Sequence, residues 1–247
     1  MSNVFVKFSI VVIALLLFRY QSISQDLVAD SSIAGYKSAV TYYNNSLLEE
    51  LHLFNGGESK DYTYSFSEGM PYFITNNWSA GNVNYDGKLY ENVSILYDVV
   101  MDQLICLYFN KISRVTLLKE KVSGFSVLGH SFIHLKPEDL HSSSLTPGFY
   151  DQLYKGKISL FARRTKNIQT SFKQTGAERK VFSKNEYFIH KENEYYTVRN
   201  KRSFLGSLTD KKKELQQYIR QNRLNFRKDP ENTMTKTIAY YNQLVNK

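Results

Sequence analysis

The sequence predicts an α+β fold in which a curved antiparallel β-sheet (a meander) is flanked by an N-terminal amphipathic helix and two C-terminal helices. From Asp61 to about Leu135 apolar residues alternate with polar ones, which is typical of half-buried strands. Near both ends of the chain they recur every three or four residues, as in amphipathic helices. The connections between the predicted strands are too short for crossover helices, so neighbouring strands are expected to be antiparallel.

The first 24 residues have the pattern of a secretory signal peptide. Lys7 supplies a positive charge, residues 8–18 form an apolar stretch with one serine, and the small Ser22 and Ser24 suit cleavage before Gln25. A transmembrane anchor is the alternative, but a span needs roughly 20 apolar residues. No cysteine follows the cleavage site, so the sequence predicts a periplasmic or secreted protein that is not a lipoprotein.

The mature chain, residues 25–247, is predicted to form a single α+β domain, because a chain of this length can bury one large core. Net charge changes sign along it. Residues 25–150 have 8 Lys and Arg against 14 Asp and Glu (−6), whereas residues 151–247 have 22 against 9 (+13). The Pro- and Ser-containing segment 136–148 lies near this change and is the candidate for an internal seam.

The ends of the predicted helices are marked by local signals. The first helix runs from Ser32 to Leu53 and is followed by Asn55–Gly57, residues that favour helix termination. A capping box is expected at Ser207–Asp210 before the second helix. Asp229–Glu231 opens the third, with the aspartate as N-cap and the glutamate near the positive end of the helix dipole. Residues 167–179 are expected to form a mobile polar segment.

Motifs for common reactions are missing from the sequence. It has no nucleophile elbow, no His-Glu-x-x-His, no phosphate-binding loop and no Cys-x-x-Cys pair. The single cysteine, Cys106, lies among apolar residues and is expected to be a buried, inert thiol. No catalytic residue and no cofactor are therefore predicted.

Two histidines form a candidate metal site. His130 and His134 are four residues apart in a predicted strand, so they would share one face, and His141 could add a third ligand. Phe132 lies between them, and no carboxylate has a matching position. Both features favour the alternative that these histidines have a structural role.

Asp98 and Asp102 are a second candidate, because two carboxylates at a strand end could act as acid and base in glycoside hydrolysis. Residues 99–101 between them have the character of a turn. Aspartates in turns commonly accept hydrogen bonds from nearby backbone N–H groups, and this is the favoured interpretation.

The basic C-terminal region is the third candidate site. Its cations could bind an anionic envelope surface, a lipid or an acidic protein, and no nucleic acid is expected as partner of an exported protein. In a continuous helix, residues 213, 220 and 227 would line one side. The alternative is a solvated helix face whose long side chains cover apolar surface. The residues assigned to this site are Lys211, Lys212, Lys213, Arg220, Arg223, Arg227 and Lys228.

A resemblance to other proteins rests on turn and strand signals rather than on chemical motifs. The segments that carry it are Leu53–Glu58, Gly69–Phe73, Gly81–Gly87, Tyr90–Asp98, Asp102–Ile105 and Asp210–Glu214. Together they resemble a family of exported proteins of Bacteroidetes-type bacteria with no known activity. The resemblance implies export and lends no catalytic residue, ligand or partner.

These observations predict an exported, non-enzymatic protein that binds or scaffolds another macromolecule in the bacterial envelope. Two alternatives stay open. One is a carrier that holds a lipid or another apolar ligand in a groove between sheet and helix, and the other is a hydrolase whose site no motif marks. Convergent carboxylates or histidines in a deep pocket would favour the hydrolase.

Overall fold

The computed structural model describes residues 33–43, 52–137, 145–174 and 176–245. The chain divides into two compact units, residues 1–51 and residues 52–247. In the first unit the described residues form helix α1 over 33–43, in agreement with the predicted N-terminal helix. Leu53, the predicted end of that helix, belongs instead to a 3-10 turn of the second unit, His52–Phe54. The predicted signal peptide and His141 lie outside the described residues.

The predicted α+β class is confirmed, because an antiparallel sheet of 11 strands that does not close is combined with helices near the C-terminus. The strands are β1 (Gly57–Glu58), β2 (Ser79–Tyr85), β3 (Lys88–Asp98), β4 (Gln103–Leu107), β5 (Arg114–Thr116), β6 (Val122–Val127), β7 (His130–Leu135), β8 (Gly148–Tyr154), β9 (Ser159–Lys173), β10 (Gly176–Lys191) and β11 (Glu194–Val198). Their order across the sheet is β1-β5-β4-β3-β2-β6-β7-β8-β9-β10-β11. The chain therefore forms two meanders, β2–β5 and β6–β11, which meet where β2 pairs with β6.

Short hairpin turns connect several of these strands. Asp86 and Gly87, the predicted turn between β2 and β3, both have positive φ (51° and 76°), and Leu128 and Gly129 repeat this geometry between β6 and β7. The predicted hairpin of β10 and β11 is also confirmed, with Lys191 paired to Glu194. Two-residue turns with positive φ match the right-handed twist of the strands. Asp-Gly is a common sequence for such turns, so Asp86–Gly87 could be predicted, whereas the turn at Leu128–Gly129 was not.

The segment 136–148, the candidate seam, connects two neighbouring strands. Residues 138–144 lie outside the described residues, but β7 and β8 on either side of them pair directly, from Phe132 with Asp151 to Leu135 with Gly148. The sheet therefore continues across this position.

The longest hairpin is the one that the sequence analysis missed. The backbones of β9 and β10 pair continuously from Ser159 with His190 to Lys173 with Gly176. Residues 167–173 and 176–179, for which no strand was predicted, therefore belong to paired strands. The outer parts of both strands are largely exposed and mostly polar, and of their few apolar side chains only Val181 is buried, whereas Phe172 and Phe182 are exposed. Backbone pairing holds them as strands without the apolar alternation that reveals a half-buried strand.

Three helices follow the sheet: α2 (Lys201–Gly206), α3 (Lys212–Gln221) and α4 (Pro230–Val245). The two predicted C-terminal helices correspond to α3 and α4, whereas α2 was not predicted. All three pack on the β8–β11 part of the sheet through one buried core. Its fully buried members are Ile158, Leu160, Ile189, Val198, Phe204, Leu205, Leu208, Leu215, Ile219, Met234, Ile238 and Tyr241.

The predicted capping box at Ser207–Asp210 is wrong, because Ser207 is the C-cap of α2. The capping box that the structure contains lies one helix earlier. There the Asn200 side chain accepts the N–H of Ser203 at 2.9 Å, and the Ser203 hydroxyl accepts the N–H of Asn200 at 3.0 Å. Asp210 instead accepts hydrogen bonds from Lys191 and from the hydroxyl of Tyr241.

The start of α4 agrees in part with its prediction. The Asp229 side chain accepts the N–H of Asn232 at 3.3 Å, as expected of an N-cap. Glu231 has a second role that the sequence analysis did not assign, because its carboxylate binds the guanidinium of Arg164 in β9. The position of α4 is fixed further by the buried Asn242, whose side chain bonds both the N–H and the carbonyl of Ile158.

Candidate anion-binding surface

The seven predicted basic residues lie at the two ends of α3 and in the connection to α4. Lys211–Lys213 surround the start of α3, and Arg220 is in its last turn. Arg223, Arg227 and Lys228 follow in the connection, where their side chains are exposed. Because α3 ends at Gln221, residues 213, 220 and 227 do not share one helix face, and that expectation is wrong.

The end of α3 holds Arg223 in an unusual backbone conformation. The N–H of Leu224 bonds the carbonyl of Ile219 at 3.0 Å, and the N–H of Arg223 bonds the carbonyl of Arg220 at 3.1 Å, which together define a Schellman motif. Arg223 occupies its left-handed position with a φ of 53°. Glycine is the usual residue there, and any other residue costs roughly 1–2 kcal/mol. This connection therefore presents an arginine where a glycine would be more stable.

The rest of the connection is shaped by Asn225 and two apolar side chains. The Asn225 side chain accepts the N–H groups of Arg227 and Lys228, each at 3.0 Å, and so fixes the backbone that carries both cations. Leu224 and Phe226 are half-buried against the helix–sheet core, and the ring of Phe226 lies 5.6 Å from that of Phe204. Apolar residues thus face inward in alternation with Arg223, Asn225 and Arg227.

Two adjoining hollows lie along this connection, with volumes of about 760 and 540 Å³. Lys201, Leu224 and Asn225 border both of them, so we treat the two as one feature, the basic groove. No aspartate or glutamate is among its lining residues in the described part of the chain. The cations that line the basic groove are Arg199, Lys201, Arg220, Arg223 and Arg227.

Positive charge is in excess around the basic groove. Residues 199–228 contain ten Lys and Arg but only two acidic residues, Asp210 and Glu214. In the part of the chain that the structure describes, none of these ten cations forms an ion pair with a carboxylate. Asp210 is already paired with Lys191. Arg199 and Lys201 were not predicted as site residues, because they lie before α3 in the chain and reach the groove only through folding.

One wall of the basic groove is connected to a buried ionic network, the Arg164 cluster. Arg164 donates to Asp151 at 2.6 and 3.0 Å and to Glu231 at 2.6 and 3.0 Å. The hydroxyl of Tyr187, a groove residue, donates to Glu231 at 2.8 Å. Burial and this hydrogen bond raise the pKa of Tyr187 to about 12. The remaining member is His130, whose ring donates to Asp151 at 2.8 Å.

A second network, the Arg163 cluster, lies on the other face of β9, since successive strand residues point to opposite faces. Arg163 binds both carboxylate oxygens of Asp102, at 2.8 and 2.9 Å, and the carbonyl of Phe149 at 2.7 Å. Lys119 also pairs with Asp102, and the hydroxyl of Tyr97 donates to it at 2.7 Å. Every polar atom of the Asp102 carboxylate is therefore bound within the fold.

We expect Asp102 to make the fold sensitive to acid. Burial alone would raise the pKa of its carboxyl group, but the hydrogen bonds and charges of Arg163 and Lys119 outweigh burial and lower it. A carboxyl whose pKa is lower in the folded state contributes stability above its unfolded pKa of about 3.9. This contribution is lost as the pH falls through the folded pKa.

Urea unfolding at about pH 6 and pH 3 would test this, because Asp102→Asn should lose less stability than the wild type between these values. Asp86→Asn is the matched control, since Asp86 pairs with Lys121 at the exposed surface. Equal acid sensitivity of the wild type and Asp102→Asn would contradict the assignment.

The two histidines of the candidate metal site bind different partners. His130 is held by Asp151, whereas the ring of His134 donates to the carbonyl of Val122 at 3.0 Å. Burial lowers the pKa of His134. The buried Phe132 lies between them, and within the described ranges no three His, Cys, Asp or Glu side chains are placed to hold a metal ion. In the described structure both rings therefore donate hydrogen bonds within the fold, one to Asp151 and the other to Val122.

Asp98 and Asp102 are also engaged separately. Asp98 accepts the N–H groups of Val100 and Met101 at 2.9 and 3.0 Å, so its predicted turn role is confirmed. Asp102 has a different role, because its carboxylate belongs to the Arg163 cluster. The prediction of a buried thiol is confirmed for Cys106, whose pKa is raised by burial.

The fold and the groove together define an α+β protein with an open antiparallel sheet and a basic helical end. No family model, curated protein or solved structure matches this chain. Among the described residues, no helix combines the length and apolar character needed to cross a bilayer.

Proposed function

We propose that this protein is an exported, non-enzymatic binding or scaffolding protein of the bacterial envelope, and that it holds an anionic partner in the basic groove. The observation that carries this proposal is the excess positive charge of residues 199–228, where ten Lys and Arg accompany two acidic residues. Five of their cations line one concave surface that lacks a carboxylate. Like charges held close together repel one another, and an anionic partner would remove that cost.

The backbone supports the same interpretation. Arg223 is held in a left-handed conformation in which glycine would be more stable. Lys211, Lys212 and Lys213 lie at the start of α3, where the positive end of the helix dipole disfavours cations. Both placements lower stability, and both increase the positive potential of this end of the molecule. Such local conflicts are expected at functional sites.

The two alternative functions have less support. The space between the helices and the β8–β11 part of the sheet is filled by the side chains of a fully buried core, which leaves the carrier proposal without a cavity there. The His130–Asp151 pair is an arrangement that hydrolases use, but within the described residues no hydroxyl or thiol group bonds to His130.

Binding to anionic probes tests the proposal. The mature protein, residues 25–247, is expected to bind three anionic probes: heparin, poly-glutamate and vesicles that contain phosphatidylglycerol. It should not bind vesicles of phosphatidylcholine alone. Affinity should fall steeply between about 0.05 and 0.3 M NaCl, because salt screens exposed charges. Co-sedimentation and fluorescence titration would measure it.

Matched charge reversals localise the effect. The double variant R223E/R227E is expected to lose about tenfold or more in affinity, since it removes two groove cations and adds two repulsive charges. K155E/K157E changes the net charge equally at two exposed lysines outside the groove and should lose less than about twofold. Failure to bind any anionic probe at low salt, or equal losses in both variants, would overturn the proposal.

A further inference from the structure

We infer that the basic groove takes an extended acidic polypeptide segment in which apolar side chains are interspersed among carboxylates. This inference rests on the proposed function and specifies its partner. It depends on three properties of the groove: its apolar floor, the kind of cations on its walls and its fixed shape.

The floor of the groove is apolar. Leu224 and Phe226 are only half-buried, and they line the larger hollow together with Val198 and Pro230. A ligand with apolar groups would remove this surface from water, at roughly 25 cal/mol per Å². A polyphosphate or a sulfated glycan has no such groups. The floor therefore favours a ligand that combines negative charge with apolar side chains.

The cations on the walls are mainly arginines. Arg199, Arg220, Arg223 and Arg227 line the groove with a single lysine, Lys201, whereas Lys211–Lys213 are not among its lining residues. A guanidinium group can bind a carboxylate through two parallel hydrogen bonds, which an ammonium group cannot do. Arginines on concave walls thus suit directional binding of carboxylates more than diffuse attraction to a charged surface.

The arrangement of projecting and recessed side chains in the groove favours a polypeptide ligand over a membrane surface. Outward-facing Arg223, Asn225 and Arg227 alternate with inward-facing Leu224 and Phe226, so the apolar groups lie recessed between the cations. A bilayer surface would contact the projecting charges and leave the floor exposed to water. An extended peptide, with side chains at successive positions on opposite sides, can place carboxylates on the walls and apolar groups on the floor.

The shape of the groove is fixed before a ligand arrives. The Asn225 side chain holds the backbone of Arg227, and the hydroxyl of Tyr187 is held by Glu231, which is bound to Arg164. A preformed groove has less conformational entropy to lose on binding. This lowers the cost of capturing a flexible peptide.

Fluorescence anisotropy with defined peptides tests the inference. The probe is a fluorescein-labelled peptide of about 12 residues, roughly 40 Å when extended, in which glutamate alternates with valine and phenylalanine. The comparison peptide has glycine at every valine and phenylalanine position. We expect the first peptide to bind at least about tenfold more tightly than the second, because only the first can cover the apolar floor.

Two variants separate binding from folding. Arg227→Lys keeps the charge but loses the paired hydrogen bonds, so affinity for the first peptide should fall by about threefold or more. Arg223→Gly relieves the left-handed backbone and should raise the melting temperature by about 2–4 °C, while it weakens peptide binding. A weaker but more stable variant cannot be explained by misfolding. The matched control is K155Q/K157Q, which should change neither property.

The outcomes distinguish failure of the acidic-polypeptide inference from failure of the proposed function. Equal binding of both peptides, or strong binding of heparin or phosphatidylglycerol vesicles without binding of the first peptide, would overturn the acidic-polypeptide inference and leave the proposed function standing. Failure of all anionic probes would overturn both.

Discussion

Replacement of Arg164 by methionine is expected to lower the free energy of unfolding by about 3–5 kcal/mol, one of the two largest effects that we expect in this protein. Arg164 is the cation between two carboxylates from different elements, Asp151 in β8 and Glu231 in α4. The Asp151 side chain is 1% exposed, so removal of the guanidinium would leave a negative charge almost without access to water. Urea unfolding at neutral pH would measure the loss.

Two further variants define the cause of this loss. Arg227→Met removes an exposed arginine without a carboxylate partner in the described structure, and it should change stability by less than about 0.5 kcal/mol. R164M/D151N should recover part of the loss, because it no longer leaves a buried carboxylate without its guanidinium partner. A loss below about 1 kcal/mol for Arg164→Met would contradict the network as described.

The second large effect is expected on the opposite face of β9. Asp102→Ala should lower the free energy of unfolding by about 3–5 kcal/mol, because Arg163 and Lys119 would lose their shared carboxylate and Arg163 is largely buried. Arg163→Met should cost a similar amount, since it removes the principal partner of Asp102. The double variant should cost clearly less than the sum of the two, because each single change already breaks the same pair.

An exposed ion pair is the control for this cycle. Asp86 and Lys121 pair at 3.1 Å with both side chains well exposed to solvent. Their coupling should be below about 1 kcal/mol, since water screens exposed charges and the side chains lose entropy when they pair. An equally small coupling energy between Asp102 and Arg163 would contradict the expectation that this buried ion pair stabilises the fold.

The two clusters also connect segments that are far apart in the sequence. Arg164 and Glu231 are 67 residues apart in the chain, and Arg163 and Asp102 are 61 apart. Through these pairs the adjacent positions 163 and 164 attach the turn after β3 to one face of β9 and the start of α4 to the other. A buried charge is costly unless an oppositely charged group is placed beside it. Each of these pairs therefore favours one arrangement of the distant segment against β9.

The parts of the fold that were predicted correctly have local signals. Asp86–Gly87 is a turn because adjacent positive φ values suit these residues, and Asp229 is a helix cap because its side chain reaches an N–H three residues later. The outer part of the β9–β10 hairpin has no such signal. Its residues are mostly exposed and polar, and apolar residues such as Phe172 and Phe182 are too few to separate a paired strand from a loop.

The candidate site was predictable in part for the same reason. Arg220, Arg223 and Arg227 stand out as a local concentration of charge. Arg199 and Lys201 do not, because they join the groove only when the end of β11 is brought beside the α3–α4 connection. The charge of Lys211–Lys213 was equally visible, and yet these lysines are absent from the groove lining. Local composition identifies a charged segment, whereas the packing of helices decides which charges share one surface.

The sequence by itself determined the fold class, two of the hairpin turns, the start of α4 and the concentration of positive charge near the C-terminus. Each of these depends on interactions within a few residues, such as a cap, a turn or a repeat of apolar side chains. Only the tertiary structure decided the length of the β9–β10 hairpin, the partners of Arg163 and Arg164 and the composition of the basic groove. These depend on contacts between residues far apart in the chain, which no local pattern records.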